Sequence, residues 1–236
     1  MHTRYGFRLP LSPQFAHLLA KLCWKIPSLT ILIAMALHAV SGPRAFPFFI
    51  SESDASGFDG MVFTIGLSLA GVVQLVFAWH LYHHLEAERE KLWFLSTIFA
   101  LVAAINTIAL SHWDMYHHIE LHIAASMQAF GCGIVWAWLA QTSLGNCASA
   151  KGRAWRNIGL TMAAFGFVLM VSSFLYATHG LDATQLSTSE YLNAAQGGIV
   201  LAAPAEYLLV AGLMVCLASF GFELKRQDSI ASMQHG

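Results

Sequence analysis

Six long apolar runs, separated by short polar links, constrain this chain more than any other feature. A helix that crosses the hydrocarbon core of a bilayer needs about 20 mainly apolar residues. Six segments meet this requirement, namely Ile26–Ala45, Met61–Tyr82, Leu92–Ser111, His118–Leu139, Ile158–Thr178 and Gly197–Phe222. The runs are continuous and do not alternate with period two, which argues against a membrane β-barrel. The sequence therefore predicts an all-α, integral-membrane bundle of six helices.

The composition leaves too few charged side chains for a water-exposed surface. Hydrophobic residues make up 57% and charged residues 11% of the 236 residues, against about 45–50% and 25% in soluble domains. A net charge of −1 gives no basic field that would attract nucleic acid. The four cysteines are scattered and signal neither a zinc site nor a disulfide framework. The expected partners are therefore membrane lipid or another membrane protein, and not nucleic acid.

The basic residues predict the orientation of the bundle. Eleven of the twelve Lys and Arg residues precede span one, follow span six, or lie in the second–third and fourth–fifth links, and only Arg44 lies opposite. The positive-inside rule then places both termini in the cytoplasm. We expect a cytoplasmic segment 1–25, a six-helix domain 26–223 and a cytoplasmic tail 224–236. A cleaved signal peptide over the first 45 residues fits less well, because a long basic region precedes Pro27, which opens the run.

Ionisable residues gather on the predicted non-cytoplasmic side. They are densest between Ser111 and His122, and Glu206 lies inside the sixth span. An ionisable side chain within the bilayer costs roughly 2.5–3.5 kcal/mol at its centre, so such residues are functional candidates. The candidate ligand-binding residues are Glu52, Asp54, His112, Asp114, His118, His122 and Glu206. Of these, His122, Glu206 and Asp114 are candidates for acid–base catalysis.

The spacing of His118 and His122 suggests a metal site. If span four begins near His118, the two imidazoles lie one turn apart on one helix face and could share a divalent metal ion. Asp114, Glu206 or His112 would then be further ligands. A hydrogen-bonded network of histidines and carboxylates, or residues that simply sit at the headgroup level, would produce the same pattern. The sequence leaves these three interpretations open.

Three local motifs resemble a known family of membrane proteins. The first loop, Phe46-Pro-Phe-Phe-Ile-Ser-Glu-Ser-Asp54, is similar to the family's Pro-Phe-Ile-Ser-Asp-Thr-Gly segment. His112-Trp-Asp114, with His122 and Phe130-Gly131 after it, resembles an Asn-Phe-Gln triplet followed at the same spacing by His, small residues and Phe-Gly. Ala205-Glu206-Tyr207 and the exit Phe220–Gln227 resemble the family's last helix. The chain thus resembles the damage-regulated autophagy modulator (DRAM)/Frag/Sfk family and its PGAP-type GPI-remodelling relatives.

The resemblance implies a multi-span protein of endomembranes (lysosome, Golgi or ER) or of the plasma membrane. It suggests a regulator of lipid homeostasis or autophagy-related signalling that recognises a lipid or a partner. The alternative is a lipid-modifying enzyme of the GPI-remodelling type, with a His/carboxylate or metal site at the non-cytoplasmic face. His122 and Glu206 match the family pattern, whereas His112-Trp-Asp114 and Asp54 depart from it and make the cluster more ionisable. A solute carrier is less expected, because no regular run of pore-lining polar residues is present.

Overall fold

A computed structural model describes residues 12–41, 44–55, 57–181 and 185–234, with the side chains of 231, 232 and 234 excepted. Over these ranges the chain forms α1 (Pro13–Ser41), α2 (Phe58–His84), α3 (Glu90–Leu110), α4 (Ile119–Leu144), α5 (Ala150–Thr178), α6 (Thr188–Ala194) and α7 (Gln196–Gln234). All of them except α6 are long and apolar enough to cross a membrane. The prediction of an all-α integral-membrane protein with six spans is confirmed.

The helices extend beyond the apolar runs that predicted them. Helix α1 already begins at Pro13, and α7 continues to Gln234. A helix satisfies its own backbone hydrogen bonds, so it need not end where its side chains become polar. The expected segments 1–25 and 224–236 are therefore largely helical where they are described. Residues 1–11 and 235–236 of these segments lie outside the described ranges. In the long loop before α7, a reciprocal cap between Ser187 and Glu190 starts the short helix α6.

The packing order of the helices creates an interior space. Helix α1 contacts α2 and α7, α2 contacts α3, α3 contacts α4, and α4 contacts α7. These helices surround the centre of the bundle, whereas α5 packs mainly on α7. We call the end that carries the links around Arg89 and Arg153 the basic end, and the opposite end, where residues 44–55 lie, the loop end.

Glycines bring α5 and α7 into close contact. A Cβ atom on Gly159 would lie 2.6 Å from the carbonyl oxygen of Gly212, and one on Gly166 would lie 2.6 Å from that of Ala205. A Cβ atom on Gly212 would lie 2.5 Å from the amide nitrogen of Ala163. Small residues at such positions let two backbones approach within a membrane, where packing drives helix association.

A buried ion pair joins the same two helices at the basic end. Arg156 Nη2 lies 2.5 Å from Glu223 Oε1, and both side chains are fully buried. Arg156 also donates to Gln141 Oε1 and Ser219 Oγ, while the other Glu223 oxygen accepts from the Ser149 amide. A buried charge is tolerated when it is paired and hydrogen-bonded in this way. The network is complete and fixes the register of α5 on α7.

Candidate functional site

The first loop is buried inside the loop end of the bundle. Phe48, Phe49 and Ile50 are at most 7% exposed although they belong to a connection between helices. The Tyr207 hydroxyl donates to the Phe48 carbonyl, and the Phe49 ring packs edge-on against Phe174 of α5. The apolar residues of this loop therefore pack into the loop end of the bundle. We call residues 44–55 the plug.

An ion pair anchors this plug. Arg44 Nε lies 2.7 Å from Glu52 Oε2, and the two side chains are 2% and 0% exposed. The other Glu52 oxygen accepts from the Phe49 amide at 2.9 Å, and Arg44 donates to Gln196 at the start of α7. Burial raises the pKa of Glu52, while the Phe49 hydrogen bond and the Arg44 charge act in the opposite direction. The pair ties the loop to itself and to α7.

Asp54, at the end of the plug, is buried next to other acidic groups. It is 4% exposed, and its Oδ2 atom has no hydrogen-bond partner in the described chain. Burial, together with the charges of Asp114 and Asp59, raises the pKa of Asp54 to about 8. Asp59 itself lies 3.0 Å from His38 Nδ1. Asp54 therefore holds its proton at neutral pH.

Glu206 and His122 are buried, and each is held by the backbone of a connection. Glu206 Oε2 accepts a 2.6 Å hydrogen bond from the Ile50 amide of the plug. His122 Nδ1 lies 2.6 Å from the carbonyl oxygen of Trp113, in the link between α3 and α4. His122 Nε2 is buried without a partner among the described residues. The two side chains thus share a site without the direct hydrogen bond that the sequence suggested as one arrangement.

Both residues line a cavity in the centre of the bundle. The cavity has a volume of about 120 Å³ and is lined by residues of α1, α2, α3, α4 and α7 together with the plug. His122, Glu206, Ile50 and Ser51 lie toward the loop end, whereas Phe77, Trp136 and Leu217 lie toward the basic end. At 1.5 Å per residue, the wall from Glu206 to Leu217 extends about 16 Å along α7. The cavity is narrow, mostly apolar, and polar toward one end.

The remaining predicted residues lie outside this cavity. His112 is exposed and hydrogen-bonds Ser68 through Nε2 at 3.0 Å. Asp114 Oδ1 accepts from the amides of Tyr116 and His117 and contacts His117 Nδ1, so it organises the α3–α4 link. Although burial opposes ionisation of Asp114, the His117 contacts lower its pKa. These residues shape the rim of the loop end.

The predicted metal site gains no further ligand from the tertiary structure. His118 is exposed at the N-cap of α4, whereas His122 is 2% exposed. Within the described ranges, no group of three or more His, Cys, Asp or Glu side chains is arranged to hold a metal ion. A divalent ion on His118 and His122 stays a prediction.

Sequence reasoning did not place Arg44, Tyr207 or the pairing of His38 with Asp59 in this site. Arg44 carried a signal, because it is the single basic residue on the predicted non-cytoplasmic side. Such an exception to the positive-inside rule is explained by its buried partner Glu52. The apolar residues Phe48, Phe49 and Ile50 were a second signal, since three consecutive large apolar side chains are unfavourable in a loop exposed to water.

The fold and the site define a class: a polytopic membrane protein with a plugged, amphipathic cavity at the centre of its helices. The chain matches the family of the Frag1/DRAM/Sfk1/Cwh43P N-terminal domain over residues 16–227 and belongs to it. The resemblance to the DRAM/Frag/Sfk family that the three motifs indicated is thereby confirmed. No curated protein and no solved structure matches the chain.

Proposed function

We propose that this protein is a non-enzymatic membrane regulator that recognises a lipid through its central cavity. Its output would lie in membrane lipid homeostasis or autophagy-related signalling, as the family resemblance implies. The observation that carries the proposal is the cavity of about 120 Å³, whose walls are apolar except for His122, Glu206 and a few other polar groups. An amphiphile, which has a polar head and an apolar chain, matches a cavity that is polar toward one end and apolar along the rest.

The size of the cavity favours one apolar chain over a bulky ligand. An apolar cavity of about 150 Å³ is large enough for a benzene molecule. A narrow space of similar volume therefore accepts part of a single hydrocarbon chain, but not a fused ring system. Filling an apolar cavity restores dispersion contacts that its walls otherwise lack, which favours an occupant from the surrounding lipid.

Filling the cavity from within tests this proposal. Gly133 of α4 lines the cavity, and an added Cβ atom would meet only the flexible Leu213 side chain, at 3.3 Å. Gly131, two residues earlier, faces open space and is not part of the cavity wall. We expect Gly133→Leu to reduce cross-linking to a single-chain lipid with a diazirine in its hydrocarbon chain by roughly tenfold, whereas Gly131→Leu stays close to wild type.

The cross-linked peptides show where the hydrocarbon chain of the probe is bound. Labelling of α4 and α7 peptides that contain Trp136 and Leu217 would support binding inside the bundle. Equal labelling of wild type and Gly133→Leu, confined to the outer surface of the helices, would rule the proposal out. Thermal unfolding of both variants controls for a loss of fold.

One observation favours the enzymatic alternative. His38 Nδ1 contacts Asp59 Oδ2 at 3.0 Å, and His38 Nε2 is buried without a partner in the described part of the chain. A carboxylate that orients an imidazole in this way is an arrangement used for general bases. The protein can be incubated with lipid vesicles and the lipids analysed by mass spectrometry. Release of a lipid fragment would favour a lipid-modifying enzyme over a regulator.

A further inference from the structure

We propose that the cavity selects single-chain amphiphiles whose head carries a hydroxyl group, and that this hydroxyl donates its hydrogen to Nε2 of His122. The inference rests on the proposed lipid-binding function and specifies its ligand class. It is carried by the hydrogen-bonding state of His122 and by the charges that the cavity lacks.

The contacts of His122 fix its tautomer. A carbonyl oxygen only accepts hydrogen bonds, so the 2.6 Å contact with Trp113 requires the hydrogen on Nδ1. A second hydrogen on Nε2 would create a charged ring in an apolar environment, which is costly without a partner. The ring is therefore neutral, and Nε2 presents a lone pair.

Among the described residues, no donor reaches that lone pair. His122 is 2% exposed, lines the cavity, and its Nε2 atom has no partner among the described residues. An acceptor buried without a donor costs free energy, and a ligand that supplies the donor recovers it. The complement of this cavity wall is thus a group with an O–H or N–H.

The surrounding charges decide between such groups. In the described structure no Lys or Arg lines the cavity, while Glu206 does. Arg44 lies in the same loop as Ile50, but it is paired with Glu52. A phosphate or carboxylate head would be buried without a cation beside an acidic group, which is unfavourable. A quaternary ammonium or an ester head has no hydrogen to donate. A hydroxyl has a single hydrogen, which it donates to His122, and its oxygen can still accept a hydrogen bond from the Glu206 carboxyl when that group is protonated.

A matched pair of probes measures the contribution of the hydroxyl group to binding. Dodecanol and dodecyl methyl ether have the same chain, but only the alcohol can donate a hydrogen bond. We expect wild-type protein, purified in detergent, to bind dodecanol about tenfold more tightly than the ether in a competition assay followed by native mass spectrometry. Dodecanoate should compete as weakly as the ether.

Two histidine variants test the residue. In His122→Asn the side-chain amide can still donate to the Trp113 carbonyl, but nothing replaces Nε2. We expect the alcohol-to-ether ratio to fall to about one in this variant while ether binding is retained. His179→Asn alters an exposed histidine outside the cavity and should keep the wild-type ratio.

The outcomes separate the two proposals. Equal binding of alcohol and ether by the wild type, or an unchanged ratio in His122→Asn, would overturn the hydroxyl inference and leave lipid binding intact. Failure of every probe to bind, together with identical cross-linking of wild type and Gly133→Leu, would remove the lipid-binding function itself. The wild-type ratio needs no variant, so the test holds even if His122→Asn does not fold.

Discussion

The buried side chains of Arg44 and Arg156 are each paired with a glutamate, whereas the buried Asp54 lies among acidic groups. Arg44 faces Glu52 at the loop end, and Arg156 faces Glu223 at the basic end. Pairing offsets part of the cost of removing each charge from water. Asp54 has acidic neighbours instead of a basic one, and it is accommodated because it keeps its proton.

Asp54→Asn should change the pH dependence of stability. The pKa of Asp54 is raised from about 3.9 in the unfolded chain to about 8 in the folded protein. The stabilising contribution of the bound proton is therefore complete below about pH 4 and is lost as the pH rises toward 8. We expect Asp54→Asn, which cannot ionise, to gain roughly 1–3 kcal/mol relative to wild type over this interval, measured by chemical unfolding in detergent.

Asp114→Asn provides a control of opposite sign. Because the pKa of Asp114 is lowered in the folded state, its ionised form stabilises the fold above the unfolded pKa. This variant should lose stability relative to wild type as the pH rises through 4. If stability depended on pH in the same way in both variants and the wild type, the raised pKa of Asp54 in the folded protein would be contradicted.

At the scale of secondary structure, the contact of α5 with α7 is the most extensive between two helices of the described structure. It combines backbone approach at Gly159, Gly166 and Gly212 with the Arg156–Glu223 network. Hydrophobicity cannot hold two helices together in lipid, because lipid is equally apolar. Close packing and buried polar contacts therefore carry this interface.

Gly212→Val should separate the two helices. Its Cβ atom would lie 2.5 Å from backbone atoms of Gly159 and Ala163, which cannot move without displacing α5. We expect a loss of about 1–3 kcal/mol in unfolding free energy. Gly221→Val is the matched control, because this glycine lies in the same helix and faces open space. Similar unfolding midpoints for both variants would show that the contact does not limit stability.

At the scale of the whole molecule, the two ends of the bundle are closed in different ways. The basic end is closed by side-chain contacts such as Arg226 Nη1 with the Cys147 carbonyl and His17 with Asp228. The loop end is closed by the plug, which also forms part of the cavity wall. Any occupant of the cavity therefore contacts both the plug and the helices.

The predicted orientation can be tested with cysteines at the two ends. Cys147 is exposed at the basic end, whereas Cys23 and Cys216 are buried. In a background with the other three cysteines replaced by alanine, a membrane-impermeant maleimide should label Cys147 only after the cells are permeabilised. His118→Cys, exposed at the loop end, should be labelled in intact cells when the protein is at the plasma membrane, and from the lumen in organelle preparations. The reverse pattern would overturn the N-in, C-in assignment.

The sequence was sufficient for the spans because the hydrocarbon core imposes a fixed length on apolar helices. It also singled out Glu206, since ionisable residues are costly within a span, and His122, through its spacing from His118 and its match to the family pattern. It could not place His112, Asp114 and His118 on the rim, because their orientation depends on how the α3–α4 link turns. Nor could it pair Arg44 with Glu52 or Arg156 with Glu223, because pairs between distant segments follow from helix packing.

What the sequence by itself determined is the class of the molecule: apolar run length and the distribution of basic residues require an embedded six-span protein. What only the tertiary structure decided is the site, in which α1–α4 and α7 leave a cavity and the first loop folds into its mouth. The physical reason is that membrane insertion depends on local hydrophobicity, which is additive along the chain. An enclosed cavity with one unpaired acceptor depends on side chains from several helices, and their mutual placement is not written in any single segment.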